Sequence, residues 1–281
     1  MKLKMKLMAA AVALAASAGA NAAMDNMLNS GNSSLAFIAL DSTGTPISMM
    51  MDLDFNVDSF LSSTALTSTA GNTIQWNFNT NTLTINNVVQ AGAQTNWNGA
   101  MSTFAGAAQA AETKWAVIAG DGKTNGTPGD VRYLTTSNTP LATLQGQTKS
   151  NLSLMIGVDS LFNAHNLLQT TSNGSTATAG AAYVGDGAAF GLAGKWENRF
   201  NGVAWADEGA LNTNEFWMLD SNNGTSSTRA LVTSYAGDFT YNAGVLTYSV
   251  AAIPEPSEYA LMLAGLGMIG FMARRRLNNR A

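Results

Sequence analysis

Short stretches of alternating or continuous apolar residues, separated by turns that contain Asn and Gly, recur along most of the chain. Runs of β-branched and aromatic residues with this length and spacing predict β-strands. The predicted strands are "SLAFIAL" from Ser34, "ISMMMDLDF" from Ile47, "TIQWNF" from Thr73, "TLTINNVV" from Thr82, "KWAVIAG" from Lys114, "EFWMLD" from Glu215 and "ALVTSY" from Ala230. The pattern therefore indicates a mainly β fold.

Two of these regions also predict hairpins. Ile74, Trp76 and Phe78 alternate with polar residues, and the period of two continues after a turn at residues 79–81. The segment "DFTYNAGVLTYSV" has the same pattern around a turn at residues 242–244. A strand with one apolar and one polar face belongs to an antiparallel sheet that is buried on one side.

Two segments depart from the strand pattern. In "WNGAMSTFAGAAQAAETKW", Met101, Phe104, Ala108 and Ala111 have helical spacing, which predicts a short helix at an end of the sheet. Residues 170–182 are of low complexity, have no apolar anchor and predict a loop. The predicted fold is an antiparallel β-sandwich-like domain with one or two short helices.

The first 22 residues predict an export signal. Lys2, Lys4 and Lys6 precede an apolar run from Leu7 to Ala18, and small residues follow at Ala20–Ala22. A positive segment, an apolar segment and a small-residue site in this order are typical of a cleaved signal peptide. We therefore assign Met1–Ala22 to a signal helix that signal peptidase removes.

Charge separates the body from the two ends of the chain. Residues 23–253 contain 16 acidic and seven basic side chains, a net charge of −9. This charge disfavours nucleic acid as a partner, because phosphates require a basic surface. The absence of cysteine excludes disulfides, thiol catalysis and thiolate-bound metals.

Candidate catalytic groups in the body are few, and we assign no catalytic residue. His165 is the only histidine, no Gly-x-Ser-x-Gly motif lies near it, and we expect a surface or half-buried structural role. Without cysteine it cannot complete a usual zinc site. Acidic residues in a Trp-containing stretch give an alternative, a secreted glycoside hydrolase that uses a carboxylate pair. Its candidates are Glu197, Asp207, Glu208 and Glu215.

Acidic residues also give a weak candidate for a metal site. In "DLDFNVD", the side chains of Asp52, Asp54 and Asp58 would share one face of a strand and could bind Ca²⁺ in an adhesion module. The alternative, which we favour, is a solvated strand edge. The loop from Asp121 resembles an EF-hand only in part, because Arg132 stands where a bidentate Glu is required. We therefore predict no cofactor, with Ca²⁺ as the alternative.

The C-terminal segment has three parts with different physical roles. Pro254, Glu255 and Pro256 cannot continue a strand, because proline lacks a backbone donor and restrains the preceding residue. The apolar run Ala260–Ala273 would form a helix of about 21 Å, short of the roughly 30 Å hydrocarbon core of a bilayer. Arg274, Arg275 and Arg276 follow, and would remain on the cytoplasmic side of the membrane.

This order of a Pro-Glu-Pro motif, a short membrane helix and an arginine cluster resembles the PEP-CTERM protein-sorting signal. The resemblance implies an exported protein of a Gram-negative bacterium that makes exopolysaccharide. An exosortase in the inner membrane would recognise the motif and remove the helix, so that membrane anchoring is transient. The chain would comprise a signal peptide (1–22), an extracytoplasmic domain (23–253) and a sorting signal (254–281).

The expected function is that of a non-enzymatic surface or extracellular-matrix protein associated with exopolysaccharide and biofilm. The acidic, Asn/Thr/Ser-rich body suits contact with hydrated polysaccharide. The carboxylate-pair hydrolase and the Ca²⁺-dependent adhesion module are the two alternatives.

Overall fold

The protein is represented by a computed structural model in which most of the body is described. The described residues are 24–25, 32–91, 93, 95–122, 131–137, 141–148, 152, 157–168, 172–184, 206–207, 213–221, 227–251, 262, 265–266 and 268–269. The predicted signal peptide therefore lies outside the described residues, as does most of the predicted sorting signal.

The described part of the body is mainly β, as the sequence predicted. Its strands are β1 Ser34–Asp41, β2 Ile47–Asn56, β3 Thr73–Asn77, β4 Thr82–Ile85, β5 Val88–Val89, β6 Lys114–Gly122, β7 Val131–Thr136, β8 Gly174–Ala177, β9 Ala206–Asp207, β10 Thr213–Asp220, β11 Leu231–Asn242 and β12 Val245–Val250. The strand predicted from Thr82 is divided into β4 and β5, because Asn86 and Asn87 both adopt positive φ angles between them.

These strands form one antiparallel sheet. Eleven follow the order β5-β4-β3-β12-β11-β10-β7-β6-β1-β2-β8, and β9 pairs with one end of β6. The sequence predicted a sandwich-like domain, and the two facing layers are parts of this single curled sheet. Phe37 on β1 lies 5.1 Å from Phe78, which follows β3, and 4.6 Å from Tyr241 on β11, between ring centroids. Strands far apart in the sheet order thus pack face to face.

Apolar residues are buried on both sides of the middle of the sheet. The concave side holds the larger core, in which Trp76 and Phe239 lie 6.0 Å apart. A second core lies on the opposite side and includes Ile38, Met50 and Phe162. Strands β1 and β2 are therefore buried on both faces, which explains why their apolar runs are almost continuous.

Both predicted hairpins are present. The second has a two-residue loop, Ala243–Gly244, between the paired residues Asn242 and Val245. Both loop residues have positive φ angles, of 47° and 79°, as a primed turn requires. A side chain at Gly244 would also lie 2.6 Å from the Asn79 amide of the neighbouring hairpin.

Five short α-helices occur in the described residues, more than the one or two that were predicted. They are α1 Val57–Ser62, α2 Thr64–Thr67, α3 Asn98–Ala107, α4 Leu141–Gln145 and α5 Gly157–Leu168. Helix α3 is the one predicted from sequence, and it buries Met101 and Phe104. Ala111 lies beyond it, in a 3-10 turn at Ala110–Glu112. The helix packs against β2 and β8.

The prediction of a loop over residues 170–182 was wrong for the central residues of this segment. Gly174–Ala177 form β8, which pairs with Met51–Ser48 of β2 at the edge of the sheet. Sequence pattern could not predict this strand, because its small residues are selected by packing between α3 and α5. At Gly174 a Cβ atom would lie 2.2 Å from Met51 Sδ and 3.2 Å from Ala100 Cβ.

Candidate functional site

The carboxyl group of Asp52 is buried where β2 leaves regular pairing with β1. The register shifts between the pairs Ser34–Asn56 and Ala36–Asp52, and Asp54 within this bulge has a φ of 61°. Asp52 Oδ2 accepts a hydrogen bond from Ser34 Oγ at 3.2 Å, and Oδ1 accepts one from the Asp54 backbone at 3.0 Å. The bulge thus places an acidic side chain inside the protein with only neutral donors.

The indole groups of two tryptophans bind the backbone in the same bulge. Trp97 Nε1 donates to the carbonyl oxygen of Asp52 at 2.7 Å, and Trp76 Nε1 donates to that of Leu53 at 2.8 Å. Both indoles are buried, so these bonds satisfy polar groups that would otherwise lack partners. They hold the Asp52 backbone in place.

The first described residues lie beside this carboxyl group. Met24 is buried, and its backbone N–H and carbonyl form hydrogen bonds of 2.8 Å with the Asn166 amide. The backbone of Asp25 pairs with Ser34 through two bonds of 3.0 Å. The segment that follows the predicted cleavage site at Ala22 is therefore anchored to the domain near Asp52.

Burial, with smaller contributions from the negative charges of Asp54 and Asp25, raises the pKa of Asp52 to about 7. The hydrogen bonds from the Asp54 backbone and from Ser34 oppose this rise. Desolvation disfavours the charged form of a buried carboxyl group, and no cation among the described residues compensates it. Asp52 is therefore a proton-binding group near neutral pH.

The structure does not place Asp52, Asp54 and Asp58 in one row. Strand β2 ends at Asn56, so that Asp58 lies in α1, where its Oδ1 accepts a bond of 3.1 Å from Arg132. The prediction that Asp58 shares one strand face with Asp52 and Asp54 is therefore wrong. Among the described residues, no group of three or more Asp, Glu or His side chains is arranged to hold a metal ion.

Arg132 and Asp121, which the partial EF-hand pattern placed at two ends of a loop, are cross-strand partners of β6 and β7. The guanidinium donates from Nε to Asp121 Oδ2 at 2.7 Å, and a second contact joins Nη2 to the same oxygen. Burial tends to lower the pKa of Arg132, but the bonds to Asp121 and Asp58 outweigh it and raise that pKa. This cluster ties α1 to the sheet.

His165 is completely buried in α5, rather than at the surface or half-buried as we predicted. Its Nδ1 atom is hydrogen-bonded to Ser175 Oγ on β8, while Nε2 has no hydrogen-bond partner within the part of the chain that the structure describes. Burial lowers the pKa of His165 to about 4, against the opposing effect of the Ala182 backbone. A buried neutral histidine that pairs with a serine joins helix to strand and is closed to substrates.

The four predicted carboxylates of a hydrolase are only partly described. Glu197 and Glu208 lie outside the described residues, and for Asp207 the structure describes the backbone, which pairs with Lys114. Glu215 is exposed on β10, and its cross-strand partner on β11 is Asp238. Burial raises the pKa of Asp238. Two carboxylates are therefore adjacent on the sheet, although one of them was not among the predicted residues.

Two open clefts occur in the described domain. One, of about 460 Å³, lies between α3, the 3-10 turn and the loop that joins β11 to β12. The other, of about 490 Å³, lies between α5, β8 and the residues after β8. Alanine predominates in both linings, and neither includes a charged residue or the pair Glu215–Asp238. Neither cleft therefore contains a carboxylate pair.

The C-terminal segment is described at only five positions. Pro254, Glu255 and Pro256 lie outside the described residues, as do Arg274, Arg275 and Arg276. Within the predicted helix, Met262, Leu266, Met268 and Ile269 are helical and 58–65% exposed. These apolar side chains do not pack on the domain. In the part of the chain that the structure describes, no helix is long and apolar enough to cross a membrane.

An exposed apolar segment marks a surface that contacts another protein or a membrane. Residues 252–276 match the family described as the PEP-CTERM protein-sorting motif, which confirms the resemblance predicted from sequence. The chain therefore carries an exosortase sorting signal, which implies export and transient membrane anchoring before surface display. No curated protein and no solved structure matches the chain.

Sequence reasoning missed several partners in these sites. Ser34 and Asp25 meet Asp52, Ser175 meets His165, and Asp238 meets Glu215. Each partner is separated from its site residue by many positions or by a strand that was not predicted. Only the tertiary structure reveals these contacts, because none of them has a local motif.

Proposed function

We propose that the chain is a non-enzymatic protein of the surface or extracellular matrix of a Gram-negative bacterium, where it is associated with exopolysaccharide. The sorting motif at residues 252–276 is the observation that carries this proposal. The body is the part that acts outside the cell, and the tail delivers it.

The position of the motif relative to the fold supports release of an intact domain. Val250 is the last residue of β12 and forms backbone hydrogen bonds of 3.0 Å with Asn72 and 2.9 Å with Gly71. Pro254 follows four residues later, a span of at most about 14 Å. A cut at or after this point breaks no strand pairing between described residues. The matrix protein would therefore leave the membrane with its fold complete.

Fractionation of cells that contain an exosortase tests the sorting step. For the wild-type chain we expect a surface or released protein whose intact mass lacks Met1–Ala22 and the arginine-containing tail. Changing Pro254 and Pro256 to Ala should leave an uncut protein in the inner membrane, because the recognition motif is lost. Glu255→Gln tests whether the carboxylate is read as well.

Glu112→Gln is the matched control, because Glu112 is exposed in the 3-10 turn and lies outside the motif. It should be processed like the wild-type chain. Recovery of the wild-type protein in the cytosol, or of an intact tail at the cell surface, would refute the proposed sorting.

One observation favours a second candidate, a hydrolase that uses a carboxylate pair. Glu215 and Asp238 are cross-strand partners, and directly opposed residues have Cβ atoms about 5 Å apart. Their carboxyl groups can therefore reach the separation of about 5–5.5 Å that the carboxylates of retaining glycosidases have. This candidate would be supported if the wild-type protein hydrolyses a polysaccharide and if Glu215→Gln and Asp238→Asn each abolish the hydrolysis. It would be rejected if both variants hydrolyse the polysaccharide as fast as the wild-type protein does.

A further inference from the structure

Four neighbouring strands at one end of the sheet contain no charged residue. No Asp, Glu, Lys or Arg occurs from Ser59 to Ala111, or from Phe239 to Ile253. These segments contain β3, β4, β5 and β12, which are consecutive in the sheet, together with the last residues of β11. The body has a net charge of −9, but these four neighbouring strands carry none of it. Their side chains therefore form no ion pair and do not repel a ligand by charge.

Strand pairing aligns polar side chains across these strands in a single row. The paired residues, from β11 to β5, are Thr240, Thr247, Gln75, Thr84 and Val89. Their sequence neighbours point into the concave core, so the row lies on the convex side of the sheet. We call this row the uncharged face. Gln75 and Val89 are exposed, and the three threonines are partly exposed.

The polar groups of the uncharged face are not used by the described part of the protein. The side chains of Thr240, Thr247, Gln75 and Thr84 form no hydrogen bond with another described residue. Neighbouring strands lie about 4.8 Å apart, so the row presents hydroxyl and amide groups at regular intervals over roughly 20 Å. Such an array can donate and accept several hydrogen bonds to one extended ligand.

The composition of the uncharged face discriminates between classes of ligand. Protein interfaces are enriched in aromatic residues, Met and Arg, which the row lacks. Nucleic acid and anionic membranes require basic residues, and membrane insertion requires a broader apolar surface than Val89 supplies. An acidic polymer would be repelled by the body. A neutral polymer rich in hydroxyl groups matches both the unused hydrogen-bonding groups and the absence of charge.

We propose that the uncharged face binds a neutral polysaccharide along the row from Thr240 to Val89. This rests on the proposed function, for which it supplies the contact surface and the ligand class. The polymer would lie across the strands and exchange hydrogen bonds to water for bonds to Gln75 and the threonines. Each bond adds little, so binding depends on several residues along the row.

Affinity electrophoresis of the processed protein tests this proposal. Native gels contain hydroxyethylcellulose, galactomannan or dextran as neutral polymers, and alginate as an acidic one. At least one neutral polymer should retard the protein, and alginate should not. Gln75→Glu should weaken apparent binding about tenfold or more, because it places a charge in the centre of the row. Thr247→Val should weaken it about threefold, because it removes one hydroxyl without changing the shape.

Matched controls make the same chemical changes elsewhere. Gln145→Glu on α4 and Thr233→Val on β11 alter exposed residues outside the row, and both should bind as the wild-type protein does. Circular dichroism of each variant establishes that the sheet is intact.

Several results would overturn the proposal. These are retardation by none of the neutral polymers, equal retardation of the wild-type protein and the row variants, and equal retardation by alginate. Sedimentation that shows dimers lost in Gln75→Glu would make the row a contact between copies. Binding of phosphatidylcholine vesicles that is lost in the same variant would make it a membrane contact. Sorting is measured separately by fractionation, so a sorted protein without polysaccharide binding refutes only this inference.

Discussion

Ser34 Oγ donates a hydrogen bond of 3.2 Å to Oδ2 of Asp52 inside the bulge between β1 and β2. This hydroxyl is the only side-chain donor that the structure gives to the buried carboxyl group among the described residues. Because no cation is paired with Asp52, its protonation state should control stability near neutral pH.

We expect Asp52→Asn to remove a pH dependence from the free energy of unfolding. The pKa of Asp52 is raised from 3.8 to about 7 by burial, so the folded state binds a proton that the unfolded state has lost. The contribution of Asp52 to stability therefore falls as the pH rises from about 4 to about 7, by up to roughly 4 kcal/mol, and is constant above that range. Urea unfolding from pH 4.5 to 8 measures the difference between the two proteins.

The control for Asp52 is Glu112→Gln, which changes an exposed carboxylate. Its unfolding curve should follow that of the wild-type protein at every pH. If the unfolding curves of Asp52→Asn also follow those of the wild-type protein at every pH, burial does not disfavour the charged form of the Asp52 carboxyl group.

His165→Gln should remove a pH dependence of the opposite sign. The pKa of His165 is lowered from 6.5 to about 4 by burial, so the unfolded state binds the extra proton in this range. The neutral ring contributes its full stability above about pH 6.5. This contribution decreases by up to roughly 3 kcal/mol as the pH falls to 4. The effects of His165 and Asp52 should largely cancel between pH 4 and 6.5, and the double variant tests their additivity.

Gly174→Ala should destabilise the protein by about 1–3 kcal/mol, because the new methyl group meets Met51 Sδ and Ala100 Cβ in a packed core. Gly106→Ala is the matched control. No atom lies within 4 Å of a Cβ at this helical position, so Ala should stabilise α3 by about 0.5–1 kcal/mol. Thermal unfolding of the two variants should therefore shift in opposite directions, and a shift in the same direction would contradict the packing of β8.

Asn214→Leu should leave stability unchanged or increase it. Asn214 is completely buried, and its Oδ1 and Nδ2 atoms have no hydrogen-bond partner among the described residues, so both groups lose hydration without compensation. Asn72→Leu is the comparison, because the Asn72 amide donates to the carbonyl oxygens of Ala65 and Leu66. It should cost about 1–3 kcal/mol in urea unfolding. An equal loss in both variants would show that Asn214 has a partner.

Arg132→Met should cost about 3–5 kcal/mol, because it leaves the buried carboxylate of Asp121 without the guanidinium. The other carboxylate that Arg132 contacts, Asp58, has a side chain that is 62% exposed. Asp58→Asn should therefore change the free energy of unfolding by less than about 1 kcal/mol. Urea unfolding distinguishes the two, and similar losses would contradict the difference in burial.

The predictable parts of the fold were those with a local pattern. Alternation around Trp76 and the turn before Val245 predicted two hairpins, and helical spacing of Met101 and Phe104 predicted α3. Strand β8 was not predicted, because it has no hydrophobic periodicity. A small residue is required at Gly174 by its close contacts with Met51 and Ala100. The candidate sites were predicted least well, since Asp58 belongs to a helix and Asp238 becomes a partner of Glu215 only through strand pairing.

The sequence by itself determined the antiparallel β class and the sorting signal, because strand alternation and a linear motif at residues 252–276 are both written in consecutive residues. Only the tertiary structure decided that the strands form one curled sheet, that Asp52 and His165 are buried, and that Thr240, Thr247, Gln75 and Thr84 form a row. Each of these features depends on the register between strands and on burial by distant residues. Neither quantity is encoded in any short segment of the chain.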